Sequence, residues 1–475
     1  MEKTLGKNFQ ENVSFLDGYF FINQNFDIVK KEIDVQNTKI AIYFIDGFLK
    51  DSSIERTMNF IMGQSNIQAD ILSDPSHFAS SLIPYSEVDI TDNIQEIERS
   101  LLSGAAVFLV STFAEAVVVD TRTYPVRGIK EPESDRVLRG AHVGFVETLI
   151  FNTALLRRQV RDRNLIIEIL NVGETTKSDV AICYMKDRAD PDFVSNIKKR
   201  ISNFKISSLT MSHQSLAEML FPKQWYNPFP KIRYTERPDA AASTILEGKV
   251  LIFCDNSPAA MILPTGFLDF LQESDDYYFP PFTGSYLRIL RIITAFLTVF
   301  LTPIWYLLIR NPSWIPEGIS FIKVDQNYTI PIIMQLLISE FVIDGLKMAS
   351  LNTPDTLSNS LGIIGGLIIG DFAADIGWVS PDVVFYIAFS AVANYTQTSY
   401  ELGYAFKFMR IMLLILTCLF NWIGFLIGIL IMTALISFNE HIDSKAENGY
   451  LYPLIPFNGK AMLRLLFRVR FHGQD

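Results

Sequence analysis

The sequence predicts a soluble α/β amino-terminal region of two subdomains, followed by an α-helical membrane domain with several spans. Residues 1–284 carry most of the charge in a composition typical of globular proteins, whereas the later part contains long uncharged apolar stretches. Hydrophobic residues make up 49% of the chain and the mean hydropathy is +0.23, because the second part raises both averages. A chain of 475 residues also exceeds the size of one compact core.

Composition and motifs exclude several function classes. A formal net charge of −10 provides no electrostatic basis for sequence-independent nucleic-acid binding. The three cysteines and five histidines lack the spacing of a zinc site or a disulfide framework. There is no phosphate-binding loop, dinucleotide fingerprint, zinc-protease helix or nucleophile elbow. We therefore expect no enzyme activity, no cofactor and no metal.

The amino-terminal region predicts alternating helices and strands. Its first residues lack an apolar core of signal-peptide length, so we expect this region to remain in the cytoplasm. We divide it into a lead-in at 1–30, a first α/β subdomain at 31–125, and a linker with a second α/β subdomain at 126–280. Hydrophobic patterning predicts strands at 39–45, 105–110, 114–119, 165–170, 179–185, 250–253 and 260–263, and helices at 54–62, 91–102, 143–160, 190–201, 213–220 and 240–247.

The membrane domain is predicted at 285–438, with a cytoplasmic tail at 439–475. Its first span, 292–309, has 18 residues without a charge, which is enough to cross the hydrocarbon core of a bilayer when its flanks are included. Further spans are predicted at 330–351, 361–370 and 409–437, with a short re-entrant segment at 381–397. The basic tail favours a cytoplasmic carboxyl terminus and about four crossings. Lys407 and Arg410 argue against this count, since they would begin the last span from the outer side.

Two pairs of carboxylates lie inside the predicted spans. Glu340 and Asp344 are four residues apart and share one helix face, as do Asp371 and Asp375. Because a charge in the bilayer needs protein or water around it, the first pair is a candidate for an ion path and the second a weaker one. The alternative is structural: the carboxylates lie near the interface, or pair with Lys347 and neighbouring backbone.

A glycine-rich segment is the other candidate. Close helix packing explains glycines at intervals of three to four residues, and makes Gly362, Gly366 and Gly370 candidate interface residues. The alternative is a pore lining that gates by dewetting in a symmetric oligomer. The candidate pore-lining residues are Ser358, Ser360, Leu361, Ile364, Gly365 and Ile368.

Basic residues crowd the end of one predicted soluble helix. Arg157, Arg158 and Arg161 are placed to interact with its carboxyl-terminal carbonyls. We interpret them as a solvated face or a subunit contact, in preference to a phosphate-binding site.

Several spaced motifs between about 40 and 440 resemble the A subunits of bacterial spore germinant receptors. The motifs are Arg127-Gly-Ile-Lys-Glu-Pro-Glu-Ser-Asp, Arg139-Gly-Ala-His-Val-Gly-Phe-Val-Glu-Thr, Thr235-Glu-Arg-Pro-Asp, Ile245-Leu-Glu-Gly-Lys-Val and Ser274-Asp-Asp-Tyr-Tyr. The membrane half resembles a stage V sporulation branch of this family in Asn311-Pro-Ser-Trp-Ile-Pro, in Ser399-Tyr-Glu-Leu-Gly-Tyr and in Tyr450-Leu-Tyr-Pro-Leu-Ile-Pro-Phe-Asn.

This resemblance implies a multi-pass protein of the inner membrane of the endospore. It implies a homo-oligomeric, pentameric cation channel that opens early in germination, in contact with membrane lipid and with other germination membrane proteins. The stage V branch implies amplification of ion release. A nutrient-receptor A subunit and a non-conducting scaffold of the germination complex are the alternatives.

Overall fold

The computed structural model describes residues 4–48, 51–63, 69–83, 87–122, 143–221, 225–273, 275–324, 328–351, 377–439 and 449–467. The chain divides into two compact units. The first contains residues 1–222 and 232–264, and the second contains residues 223–231 and 265–475. The division therefore falls at Pro264 and not at the predicted residue 280, and a short segment inside the predicted second subdomain belongs to the helical unit.

Two five-stranded antiparallel sheets form the first unit, with helices packed on them. The strands are β1 (Ile28–Val35), β2 (Thr38–Ile45), β3 (Val88–Thr91), β4 (Ala106–Val110), β5 (Ala116–Val119), β6 (Leu165–Val172), β7 (Ser178–Met185), β8 (Arg233–Thr235), β9 (Val250–Cys254) and β10 (Ala260–Leu263). The helices are α1 (Phe9–Tyr19), α2 (Asp51–Gly63), α3 (Ala69–Ser73), α4 (Pro75–Leu82), α5 (Ile94–Leu102), α6 (Leu149–Gln159), α7 (Pro191–Ser202), α8 (Ser212–Leu220) and α9 (Pro238–Leu246).

The first half contains elements that the sequence did not predict: strands β1 and β3 and helices α3 and α4, and helix α1 was placed in the lead-in. Strand β1 was not predicted because three consecutive charged residues, Lys30, Lys31 and Glu32, interrupt its apolar pattern, yet it pairs along its whole length with β2. Helix α1 lies in the predicted lead-in, but Val13, Leu16 and Phe20 at its end are buried in the core of the first sheet. The lead-in is therefore part of the first subdomain.

The two sheets repeat one topology. Their strand orders, β1-β2-β4-β5-β3 and β6-β7-β9-β10-β8, become identical when each element of the first half is matched to its counterpart in the second. Helices α1 and α6 precede the first strand of each half, and α5 and α9 precede the fourth. The first unit is therefore an internal structural duplication, which the sequence patterns did not reveal.

Local hydrogen bonds repeat with the topology. In the first half, the side chain of Asn12 accepts from the backbone N–H of Gly6 at 2.9 Å and donates to its carbonyl at 2.7 Å. In the second half, Asn152 makes the same two bonds with Val146, at 2.7 and 2.5 Å. Each asparagine thus fixes how the chain enters its helix.

Two glycines repeat at the ends of α5 and α9. Gly104 has φ +102° and Gly248 has φ +95°, a conformation that L side chains rarely adopt. A Cβ at Gly104 would lie 2.9 Å from the ring of Phe48, and one at Gly248 would lie 2.9 Å from the carbonyl oxygen of Arg188. Both turns therefore require glycine.

Helices form the second unit. They are α10 (Asp275–Tyr278), α11 (Pro281–Arg310), α12 (Ile332–Leu351), α13 (Pro381–Tyr395), α14 (Tyr400–Ser437) and α15 (Gly459–Leu466). Short 3-10 turns lie at Phe267–Leu271, Pro312–Trp314 and Glu317–Ile322. Among the described helices, α11 and α14 are long and apolar enough to cross a membrane.

Helix α14 is not the straight span predicted at 409–437. Its backbone reverses at Asn421, where φ is 54° and ψ is −134°. A Cβ on Gly424 would overlap the carbonyl oxygen of Leu416, although a straight helix holds residues eight positions apart at about 12 Å. Residues 400–420 and 422–437 therefore form two antiparallel arms, which we call the first and second arms of α14.

An amide pair holds the reversal of α14 against the end of α11. Asn311 Nδ2 donates to Asn421 Oδ1 at 2.7 Å, and Asn421 Nδ2 donates to Asn311 Oδ1 at 3.0 Å. Arg310 Nη1 donates to the carbonyl of Thr417 at 2.9 Å. The first arm consequently runs parallel to α11, and the second arm returns toward the start of α11.

Candidate functional site

A cluster of four charged side chains joins α12 to the first arm of α14. Glu340 and Asp344 lie one turn apart on α12, and Lys407 and Arg410 lie one turn apart on the first arm. Because two acids face two bases, the cluster carries no net formal charge. It brings together the predicted carboxylate pair and two residues that the sequence analysis treated only as an objection to its count of spans.

Arg410 contacts both oxygens of Glu340. Its Nε lies 2.6 Å from Glu340 Oε1, and its Nη2 donates to Oε2 at 2.8 Å. Its Nη1 donates to the carbonyl oxygen of Thr298 in α11 at 2.7 Å. One guanidinium therefore contacts three helices, with Nη2 as the hydrogen-bond donor to the carboxylate and Nε in a close ionic contact with its other oxygen.

Lys407 completes the cluster. Its Nζ lies 3.3 Å from Glu340 Oε2 and 2.6 Å from Asp344 Oδ2, and it donates to the backbone carbonyl of Glu340 at 2.9 Å. The side chains of Glu340, Lys407 and Arg410 are at most 4% exposed, whereas that of Asp344 is 35% exposed. Only Asp344 reaches the surface of the bundle.

Burial gives this cluster a structural role. Removing one member of a buried ion pair leaves an uncompensated charge and typically costs about 3–5 kcal/mol. Both oxygens of Glu340 are already engaged by cations, so a passing ion would have to displace a side chain to reach them. We therefore describe Glu340, Lys407 and Arg410 as the clamp between α12 and α14, and Asp344 as its exposed edge.

The structural alternative proposed that Lys347 pairs with these carboxylates, but the structure places its ammonium group elsewhere. Its Nζ lies over three tyrosine rings, 3.8 Å from the centroid of Tyr400, 4.6 Å from that of Tyr404 and 5.4 Å from that of Tyr395. Such cation–π contacts each contribute on the order of 0.5–1 kcal/mol at exposed sites. They place the end of α12 beside the end of α13 and the start of α14.

Helices α12 and α13 run in the same direction. Near their starts, the backbone N–H of Ser380 donates to Gln335 Oε1 at 2.8 Å. Near their ends, Lys347 contacts the ring of Tyr395. Leu351, which ends α12, and Gly377, which precedes α13, consequently lie at opposite ends of the bundle.

The chain between those ends carries most of the predicted site residues. Ser358, Ser360, Leu361, Ile364, Gly365 and Ile368, the glycines Gly362, Gly366 and Gly370, and the carboxylates Asp371 and Asp375 all fall outside the described residues. Their roles remain predictions. In the described part of the chain, no group of histidine, cysteine, aspartate or glutamate side chains is arranged to hold a metal ion.

Arg157 is not on a surface, which corrects its predicted role as an interface residue. Its side chain is fully buried, and it pairs with Asp27, with Nε 2.7 Å from Oδ2 and Nη2 3.0 Å from Oδ1. It also donates to the backbone carbonyls of Asp162 and Leu165. Asp27, which immediately precedes β1 in the first half, is thereby tied to the helix that opens the second half.

For the other two arginines, a solvated face or a subunit contact stays a prediction. Arg158 and Arg161 are exposed at the end of α6, and Arg161 Nη1 lies 3.3 Å from Ser103 Oγ of the first half. The signal that separates Arg157 from them is its place on the same helix face as the buried Thr153 and Ala154. A charge on that face needs a buried partner, and Asp27 lies 130 residues away in sequence.

Comparison with known proteins places this architecture in one family. Residues 20–475 match the model of the Bacillus/Clostridium GerA spore germination protein. Stage V sporulation protein AF of Bacillus subtilis is 35% identical over 467 residues, which cover 98% of this chain and 94% of that protein. Spore germination protein KA of the same organism is 25% identical, over 96% of this chain and 83% of that protein.

A solved structure is also similar to this chain. It is the crystal structure of the N-terminal domain of the A subunit of the Bacillus megaterium spore germinant receptor GerK3. The match has a TM-score of 0.42 and 25% sequence identity, and it covers 56% of this chain and 98% of that domain.

Proposed function

The chain belongs to the GerA family of spore germination proteins of Bacillus and Clostridium, and from this membership we propose that it is the channel-forming subunit of a germination complex. In this proposal the second unit spans the inner membrane of the endospore and releases cations during germination. In this proposal the protein amplifies the signal, as its resemblance to the stage V branch implies, and has no enzymatic step. The first unit lies on the side of the spore core.

The parallel arrangement of α12 and α13 carries the proposal. Because Leu351 and Gly377 lie at opposite ends of the bundle, the residues between them connect one end to the other. We propose that the glycine-rich segment 358–370 crosses the membrane there and lines the pore. A run of small and apolar residues after Ser358 and Ser360 suits a constriction that opens by wetting.

A pore between copies fits the packing of the described helices. Their interior is filled: Leu402, Phe406 and Leu413 pack against α11, and Leu414 packs with Trp305 of α11. A path through the middle of one bundle would require these side chains to move. We therefore propose a homo-oligomer, a pentamer by family resemblance, in which each copy contributes its segment 358–370 to a central pore.

The clamp supports a location within the membrane. Helix α12 carries three charges, and isolated charges at the centre of a bilayer cost several kcal/mol. Lys407 and Arg410 neutralise the two acidic charges within the bundle. Large apolar side chains such as Leu419 (65% exposed) and Leu430 (69% exposed) on α14 are then left to contact membrane lipid.

A second candidate function is a non-conducting scaffold, or the A subunit of a nutrient germinant receptor. The occupied oxygens of Glu340 favour the scaffold, because they leave this buried carboxylate without a free site for a cation. In that case the helical unit would organise other germination membrane proteins, which would pass the ions.

Ion flux from reconstituted protein tests the proposal. The purified chain is inserted into liposomes loaded with K⁺, alone and with the other proteins of the complex, and single cysteines are placed at Ile364 and at Leu430. A charged thiol reagent should reduce K⁺ release through the Ile364→Cys variant and leave the Leu430→Cys variant unchanged, since only the former is proposed to face the pore. Assembled oligomer without K⁺ release in either condition would support the scaffold.

A further inference from the structure

A short aromatic segment belongs to the helical unit although its neighbours in sequence belong to the first unit. Residues 223–231 separate α8 from β8 and are grouped with the second unit. Within this segment Trp225 is 93% exposed and Tyr226 is 58% exposed, and their rings meet edge to face with centroids 6.3 Å apart. A tryptophan so exposed to water is unusual in a soluble protein, because its large ring is ordinarily mostly buried.

The residues that follow fix this segment against the helices. Asn227 Nδ2 donates to the carbonyl of Leu435 in the second arm of α14 at 2.9 Å. Phe229 is buried, with its ring centroid 6.4 Å from that of Phe406 in the first arm. Tyr450 donates its hydroxyl to the carbonyl of Pro230 at 2.9 Å. The position of Trp225, two residues before the first of these contacts, is therefore set by α14.

The anchoring contacts give the height of this segment along the helices. Leu435 follows the reversal at Asn421 by 14 residues, which is roughly 21 Å at 1.5 Å per residue. A hydrocarbon core is about 30 Å thick. If the reversal lies at one face of the membrane, as the proposed function requires, Asn227 lies within reach of the opposite face.

We propose that Trp225 and Tyr226 insert into the headgroup layer of the membrane. Tryptophan and tyrosine are enriched there because an apolar ring with one polar group suits a boundary between hydrocarbon and water. A lipid bilayer fits these two residues because their segment is held beside the ends of apolar helices whose outer side chains are also exposed. The segment, which lies between α8 and β8 in sequence, is thus a membrane anchor of the helical unit.

This inference rests on the proposed insertion of the second unit into a bilayer, and the test separates the two. The full chain carries Cys418→Ala, because Cys183 and Cys254 are buried and burial raises the pKa of each thiol, that of Cys254 to about 12. Single cysteines are then introduced by Trp225→Cys, Leu430→Cys and Met211→Cys. Leu430 lies in α14, and Met211, which is 70% exposed, lies in the first unit.

Each cysteine is labelled with a fluorophore whose emission shifts to the blue in apolar surroundings. The chains are reconstituted with lipids that carry a spin label at the headgroup or, in separate preparations, at different depths along the acyl chain. We expect position 225 to show a blue shift and quenching by the headgroup spin label. The fraction of emission lost there should be at least half of the greatest loss that any of the spin-labelled lipids causes at position 430. Position 211 should show neither. As a check on folding, a Trp225→Phe variant is labelled at one of the other two positions.

Two results would overturn the inference. One is emission at position 225 that matches position 211, with no quenching by lipid, while position 430 is quenched. The other is a blue shift at position 225 without lipid quenching, which would assign the segment to a protein contact, such as a second copy of the chain. Failure of quenching at position 430 would instead contradict the membrane insertion itself, and with it the basis of both proposals.

Discussion

Arg410 of α14 holds Glu340 of α12 by both carboxylate oxygens, with Nε 2.6 Å from one and Nη2 2.8 Å from the other. The same guanidinium donates to the backbone of α11 at Thr298. Because both side chains are almost wholly buried, this contact stabilises the bundle only while both partners are present. It is the point at which three helices of the second unit depend on one another.

Removal of the acid from this pair should destabilise the bundle strongly. We expect Glu340→Ala to cost about 3–5 kcal/mol, because Arg410 would remain buried without its counter-charge. Asp344→Asn, which is partly exposed, should cost less. The measurement is the temperature at which the full chain in detergent loses its folded state.

The matched control removes both charges. Glu340→Leu combined with Arg410→Leu should recover most of the lost stability, because Lys407 keeps its contact with Asp344 at 2.6 Å. A Glu340→Ala variant that is as stable as the parent but releases ions differently would contradict the clamp and restore Glu340 as an ion-path residue.

The buried arginine of the first unit should behave in the same way. Arg157→Ala should cost about 3–5 kcal/mol, because Asp27 would be left buried and unpaired between the two halves. Arg158→Ala, one residue further along and exposed, should change stability by less than about 0.5 kcal/mol. Hydrogen exchange of β6 in the full chain measures both effects. Equal protection of β6 in the two variants would argue against a lock between the halves.

Glycine substitutions test the reversal of α14. Gly424→Ala should prevent the two arms from packing, because its Cβ would overlap the backbone carbonyl of Leu416. Gly428→Ala should be milder, since its Cβ would meet the end of the flexible Leu413 side chain at 2.5 Å. Gly345→Ala on α12 is the matched control, because no atom of the described residues lies within 4 Å of its Cβ. The yield of folded protein after extraction should fall in the order Gly345→Ala, Gly428→Ala, Gly424→Ala, and a straight α14 would give three similar yields.

His213 should make part of the first unit sensitive to acid. Burial lowers the pKa of His213 below its ordinary value of 6.5, and its Nδ1 lies 2.7 Å from Ser257 Oγ. The folded state therefore binds this proton less readily than the unfolded state, so stability is retained above pH 6.5 and falls as the pH drops toward the lowered pKa. Hydrogen exchange of α8, corrected for the intrinsic effect of pH, should rise over that range in the parent. His213→Gln should remove the change, and an identical rise in that variant would assign it to another group.

Local patterns predicted most strands and helices of the first unit, but not the duplication that relates its halves. Strand β1 was missed because Lys30, Lys31 and Glu32 obscure the alternation of apolar and polar residues. It is an edge strand of its sheet. The repeat of Asn12 at Asn152 lies in dissimilar sequence and becomes visible only through their matching backbone contacts.

In the second unit, hydrophobic periodicity predicts helices but neither the ion pairs between them nor the reversal of α14. The spacing of Glu340 and Asp344 indicated a shared helix face, but the partners of Glu340 come 67 and 70 residues later and could not be paired from sequence alone. The apolar run of α14 continues through Asn421, so nothing in its hydropathy announces a reversal. That reversal depends on Asn311 and on contacts of two glycines with the opposite arm.

The measurement that tests the central claim most directly is K⁺ release from liposomes that contain the assembled protein with a single cysteine at Ile364. We predict release that a charged thiol reagent blocks at this position, while the same reagent has no effect on a cysteine at Leu430. Release that is insensitive to modification at every position from 358 to 370 would contradict the proposed pore lining. The absence of any release from a correctly assembled oligomer, with its partners present, would contradict the channel itself.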